Sequence, residues 1–220
     1  TIDLGSASLM VDAPLLLRRA ITLRGSGARL AFRGDTLFLI EEGGSLHLRG
    51  LTISGAAAQG ASGNAVIRTS ASPMLTNYMI SIEQTVFEAL DAAPAFDLIV
   101  TTPGTMAALI RISDSSITGL SGTLLAASSE RGPAGVYAAE DVVIERARLS
   151  RVGRIADLLR DGTDESTFGP RVAFSGNLVV DSGPLLLSGV QVTAITNNRF
   201  IRSNGVGITH SVGDPRTDIS

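Results

Sequence analysis

The sequence predicts an all-β fold, a single-stranded right-handed parallel β-helix of about seven to eight coils. Three observations predict it. Apolar pairs five positions apart recur along the chain: Leu48/Ile53, Ile82/Phe87, Ile112/Ile117, Ile144/Leu149, Phe174/Val179 and Ile195/Phe200. Their first members are spaced by 34, 30, 32, 30 and 21 residues. A further apolar residue precedes most of them by two, at Leu46, Ile80, Ile110, Val142 and Val172. That two-residue period belongs to a strand and not to a helix. A unit this short cannot bury a core alone, so successive units must stack. The leucine and asparagine frame of a leucine-rich repeat is absent, and a propeller blade would need four strands in each unit.

Within each pair the intervening residues are small or polar, as in Ser113-Asp-Ser-Ser116 and Thr196-Asn-Asn198. They read as a tight turn, after which the second member opens a strand on another face. Asn177 and Asn198 each stand three residues past the first member and read as turn asparagines stacked in a ladder.

Taken in order, Ile2, Leu4, Leu9, Val11, Leu15 to Leu17, Ile21 and Leu23 form the first coils, and Gly25 and Gly27 interrupt them. Leu30, Phe32 and Leu37 to Ile40 resume the pattern, and Glu41-Glu-Gly-Gly44 turns into the first clear rung. Residues 55–78 are rich in Ala, Gly and Ser. They read as a loop near Gly55–Gly63, a strand near Ala65–Arg68 and a second loop over Ser70–Tyr78. Ala92–Ala95, Thr101–Thr105 and Ser128–Tyr137 read as turns or loops between rungs. Val172–Val180, Leu185–Leu187, Val190–Ile195 and Gly205–Thr209 complete the last coils, and Val212–Ser220 reads as a polar tail that frays. No linker divides the chain, so residues 1–220 are expected to form one domain. The chain opens at Thr1 within strand-like sequence, and an uncapped β-helix end is a sticky edge. A further domain upstream is therefore expected.

Composition suits this architecture. Of the 220 residues 44% are hydrophobic but only 4% aromatic, and there is no tryptophan. The core must be built from Leu, Ile, Val and Ala, which fill a narrow interior in rows. Net charge is −3 with no basic tail, which argues against a nucleic acid partner. No apolar run reaches the roughly 18 residues of a membrane helix, so no membrane partner is expected. There is no cysteine, hence no disulfide framework or thiolate chemistry. All 18 basic residues are arginine. Guanidinium forks suit carboxylates better than ammonium groups do, although genomic base composition gives the same bias.

The densest polar run is Arg160-Asp-Gly-Thr-Asp-Glu-Ser-Thr-Phe-Gly169. Asp161, Asp164 and Glu165 could pair as glycosidase carboxylates or supply oxygen ligands to calcium. The same residues equally make a loop tied by its own side chains, with Arg160 against Asp164 or Glu165. His47 and His210 stand alone and lack partners at metal or triad spacing. Tyr78 and Tyr137 are candidate sugar-stacking residues in loops.

This run resembles a signature of the C-terminal β-helix domain of two-domain alginate lyases of polysaccharide lyase family six, the chondroitinase B-like group. Arg160, Gly162, Asp164, Glu165, Ser166, Thr167 and Gly169 agree with that signature; Asp161 and Thr163 depart from it. Thr1-Ile-Asp-Leu-Gly5, Gly44-Ser-Leu-His-Leu48 and Asn197-Asn-Arg-Phe-Ile201 are similar to its flanks, so the resemblance spans nearly the whole chain. It implies a secreted or periplasmic bacterial protein. In that family a calcium ion, a lysine base and an arginine perform β-elimination in the other, N-terminal β-helix. This chain has no lysine. The resemblance therefore implies no catalytic residue here, and no metal or cofactor of its own, calcium belonging to the catalytic domain. Arg160, Asp164, Glu165, Ser166 and Thr167 are then structural or interface residues.

The implied role is accessory: to pack on an upstream catalytic β-helix, to shape its cleft or a homodimer contact, and to hold alginate or another polyuronate. Arg146, Arg148 and Arg160 are the candidate substrate contacts. They belong to a group with Arg151, Arg154 and Arg171 that spans 26 residues. Arg146 and Arg148 lie between Ile144 and Leu149 and so point outward. Ion pairs with Glu140, Asp141 and Glu145 are the competing use of these arginines. The alternatives are that the chain is itself a polysaccharide lyase, or a purely structural β-helix.

Overall fold

A computed structural model describes residues 1–59, 63–91, 95–127, 139–159, 170–188, 190, 192–209 and 216–220. The strands pair in parallel throughout and wind into a solenoid with three faces. The first face stacks Ile2–Asp3, the beginnings of Ala20–Phe32 and Ser45–Ser54, then Tyr78–Glu83, Ala107–Ser113, Ala139–Glu145, Arg171–Ser175, Val192–Thr196 and Arg216–Ile219. The second stacks Ser8–Val11, the ends of those two long strands, Val86–Leu90, the beginnings of Ser116–Ala126 and Arg148–Leu159, then Leu178–Val180 and Arg199–Ile201. The third stacks Leu15–Leu17, Thr36–Ile40, Asn64–Thr69, Phe96–Val100, the ends of Ser116–Ala126 and Arg148–Leu159, Leu185–Ser188 and Val206–Thr209.

Each recurring pair straddles the corner between the first two faces. The register aligns Leu48, Ile82, Ile112, Ile144, Phe174 and Ile195 in one row, and Ile53, Phe87, Ile117, Leu149 and Val179 in another. Apart from Ile195, which is 3% exposed, every one of these is exposed by 2% or less. Full burial of one such side chain stabilises the fold by about 1.5–3 kcal/mol. Few aromatics are needed because strands about 4.8 Å apart bring aliphatic side chains of successive rungs into contact. Phe32 meets Phe96 edge-on at 5.8 Å, and Phe174 stacks with Phe200 at 6.1 Å.

The turn inside each pair is a one-residue kink. Gly50, Gln84, Asp114, Arg146, Gly176 and Asn197, all two residues after the first member, have φ between +49° and +66°. The second corner repeats the device at Ala89, Gly119, Arg151, Asp181 and Arg202. A left-handed residue bends the strand sharply without a loop, which explains how long strands continue around a corner. Just past the second corner, Gly153 and Gly183 stack so closely that a Cβ on Gly183 would overlap the Gly153 carbonyl oxygen.

Two expectations are corrected. Tyr78 opens a strand and is fully buried, so it is not a loop residue available to stack on a sugar. Within the tail read as fraying, Arg216–Ile219 is a strand whose backbone pairs with Val192–Ile195, and residues 212–215 lie outside the described residues. Both ends of the solenoid leave their core rows open, with Ile2 and Leu9 at one end and Val206 and Ile219 at the other all more than a third exposed.

Candidate functional site

The second face and its two corners carry a grid set by the rung register. One rung places Arg146, Arg148 and Arg151 across the face. The next places Gly176, Leu178 and Asp181, and the one after places Asn197, Arg199 and Arg202. On the preceding rung stand Asp114, Ser116 and Gly119.

Arg146 and Arg148 are both exposed, as their position in the repeat predicts. Their electrostatic states differ. Arg146 donates through Nε and Nη2 to the two Asp114 carboxylate oxygens at 2.7 and 2.8 Å, and through Nη1 to Glu145 at 2.7 Å. These partners push its pKa further up, and they hold Asp114 and Glu145 below the ordinary carboxylate range. Arg111 reaches Glu145 from the other side. Arg148 has no side-chain partner among the described residues.

The pattern recurs two rungs on. Arg202 grips both Asp181 oxygens at 2.5 and 2.7 Å and lowers that carboxyl's pKa. Arg199 has no side-chain partner among the described residues. Arg151 makes no ion pair among them; it acts on Asp181 through space and stands across Gly119 from Asp91. On the first face Arg171 grips Asp141 at 2.7 and 2.6 Å, and on the third face Arg154 pairs with Asp157 at 2.6 Å. Arg146 and Arg171 thus tie neighbouring rungs together, Arg154 pairs within its own strand, and Arg148 and Arg151 are the members left facing outward without an ion pair among the described residues. Arg160, Asp164, Glu165, Ser166 and Thr167 lie outside the described residues, as do His210 and Tyr137. His47 sits on the outer side of the first face with Nε2 3.7 Å from Glu83.

Beside the second corner runs a shallow open groove of about 530 Å³, lined by Arg151, Gly153, Asp181, Gly183, Arg202 and Asn204 among others. It follows the solenoid axis, because these residues come from successive rungs. The stacked glycines leave it without side chains on one side. Among the described residues no group of three or more His, Asp or Glu side chains is placed to hold a metal ion. Arg199, Arg202 and this groove escaped sequence reasoning. The available signal was the shared spacing of Arg148-x-x-Arg151 and Arg199-x-x-Arg202, aligned on Leu178-x-x-Asp181.

The asparagine ladder lies beneath the first corner. Asn177 Oδ1 accepts from the Ala147 amide at 2.9 Å, and its Nδ2 donates to the Ile144 carbonyl at 2.9 Å and to Asn198 Oδ1 at 3.0 Å. Asn198 Oδ1 also accepts from the Asn177 amide at 2.9 Å, and Asn198 Nδ2 donates to the Phe174 carbonyl at 2.7 Å. Ser115 and Thr85 occupy the same column two and three rungs before Asn177, and Ser115 Oγ accepts from the Thr85 amide at 3.1 Å. These side chains are consumed by backbone groups and are not ligands.

Three-faced parallel winding defines the class, a parallel β-helix. No family model and no curated protein matches the sequence. Among solved structures, the PL6 family alginate lyase AlyGC matches 99% of this chain at a TM-score of 0.88 and 27% sequence identity, and a single-site mutant of that lyase matches equally. This match supports membership of the PL6 family. The chain spans 35% of the length of the lyase it matches.

Proposed function

We propose that this chain is a non-catalytic β-helix module of an alginate or other polyuronate lyase, packing against a catalytic β-helix and supporting its cleft or a homodimer contact. The observation that carries the reading is the extent of the match: all but 1% of this chain aligns with an alginate lyase, yet it accounts for 35% of that enzyme. The absence of lysine supports it, since the family's proton-abstracting base has no counterpart in this sequence. Calcium, on this reading, belongs to the catalytic module, which is also where the chemistry resides.

The test is incubation with alginate and calcium, following the ultraviolet absorbance of unsaturated uronate ends. The chain alone yields no rise. Added to a PL6 catalytic module that lacks its own counterpart of this chain, it increases that module's turnover. Cleavage by the chain alone overturns the reading, and so does a catalytic module indifferent to its presence.

A further inference from the structure

We infer that the second face, between Arg148, Arg151 and Arg199 and into the adjoining groove, is a docking surface for a linear carboxylated polysaccharide lying along the solenoid axis. The inference rests on the polyuronate reading above and names the residues that would make the contact.

Three features point there. First, the grid separates used from unused cations. Arg146 and Arg202 are saturated by Asp114, Glu145 and Asp181, whereas Arg148 and Arg199 project from the same face with no side-chain partner among the described residues. Second, the spacing is fixed by the backbone. Arg148 and Arg199 occupy one row two rungs apart, which sets their Cα atoms about 10 Å apart along the axis. Arg151 lies three residues further around the same rung as Arg148, again about 10 Å away at the rise of a strand. Between the arginine rungs lie Gly176 and Leu178, which add no charge. Third, the groove past Arg151 runs along the axis, and the exposed Asn204 borders it beyond the guanidinium groups.

The occupant follows from the chemistry. Guanidinium forks at fixed intervals suit planar carboxylates that recur along a polymer. Asp114 and Asp181 lie among these arginines and Asp91 stands nearby across Gly119, a mixed-sign surface that disfavours the dense phosphates of a nucleic acid, and none of the described residues of the face is an exposed aromatic that could stack on bases. Asp181 faces the same groove, but its charge is held by Arg202.

The experiment is calorimetric titration of the intact chain with saturated alginate oligosaccharides, without turnover. The probes for comparison are neutral dextran oligosaccharides and single-stranded DNA of similar length. The variants are a triple Arg148→Ser, Arg151→Ser, Arg199→Ser chain and a control chain carrying Arg19→Ser, in the bend before Ala20, and Arg68→Ser, on the third face. The expected result is alginate binding that the triple variant loses by an order of magnitude or more, while its melting temperature stays unchanged, and that the control retains. Equal binding of DNA, or equal binding by the triple variant, overturns the inference. Absence of binding by the unmodified chain also overturns it but leaves the accessory role intact, because that role is read separately from stimulated turnover.

Discussion

The sharpest constraints sit on single residues at the corners. Asn177 is 2% exposed and satisfies two backbone groups and a second asparagine. Asn177→Ala leaves the Ala147 amide and Ile144 carbonyl without partners, at a cost of about 2–4 kcal/mol, measurable as a lower midpoint in urea unfolding. The left-handed positions make a complementary prediction. Ala89 holds φ +55° with a side chain that gains nothing from the strain. Ala89→Gly is expected to raise stability by about 0.5–1 kcal/mol in the same assay, since relief of the strained φ outweighs the added freedom of the unfolded chain. Arg146→Gly and Arg146→Ala both lose the Asp114 and Glu145 contacts, but only the alanine keeps the strain. The alanine variant should therefore melt at the lower temperature.

At the scale of strands and rungs, the alternation of apolar residues was enough to place the faces. Leu48/Ile53 and its five successors carry register information directly, because a rung has no freedom to shift without turning its apolar row to solvent. The corner asparagines were legible for the same reason, a fixed offset from an apolar anchor. Tyr78 was misread because an Ala- and Ser-rich approach hid the first residue of a strand whose alternation, Tyr78, Ile80, Ile82, is plain once the start is known. The tail was misread because Arg216–Ile219 is polar and exposed, and its pairing comes from backbone groups that side-chain patterns do not report. The arginine grid was only half legible. Arg148 stood out within a dense run, whereas Arg199 lies 51 residues away and meets it only through two turns of the solenoid. The glycine stack makes the prediction at this scale. Gly183→Ala forces the Gly153 rung away and should cost at least about 3 kcal/mol, or abolish cooperative unfolding of the last rungs in circular dichroism.

Over the whole molecule, arginine–carboxylate pairs tie one rung or turn to another. Asp114, Asp141, Glu145 and Asp181 are all held below their ordinary pKa values of 3.8 to 4.5 by arginine partners. A carboxyl whose pKa is depressed in the fold supports it fully above its unfolded value and loses that support as the pH falls through the folded value. The melting temperature should thus be flat with respect to these groups from neutrality down to about pH 5 and should decline below about pH 4. The decline should be shallower in an Asp141→Asn variant, which has already given up one such pair. A protein equally stable at pH 3 and pH 7 would show that the pairs contribute nothing.

The uninterrupted rows have a last consequence: the length of this domain is quantised. Residues 171–191 make one turn of the solenoid, and the residues above and below it share a register, since Asp141 and Val192 both pair with Arg171, and Arg148 and Arg199 both flank Leu178. Removing those 21 residues would seat Ile195 on Ile144, Phe200 on Leu149 and Val206 on Ala156, and would hand the Ala147 amide from Asn177 to Asn198. The new conflicts would fall outside, where Arg148 meets Arg199 and Arg151 meets Arg202, and exposed charges couple weakly. Such a chain is expected to fold and to melt cooperatively, whereas a chain shortened by half that segment would not. A protein built this way can gain or lose whole turns over evolutionary time without redesigning what remains.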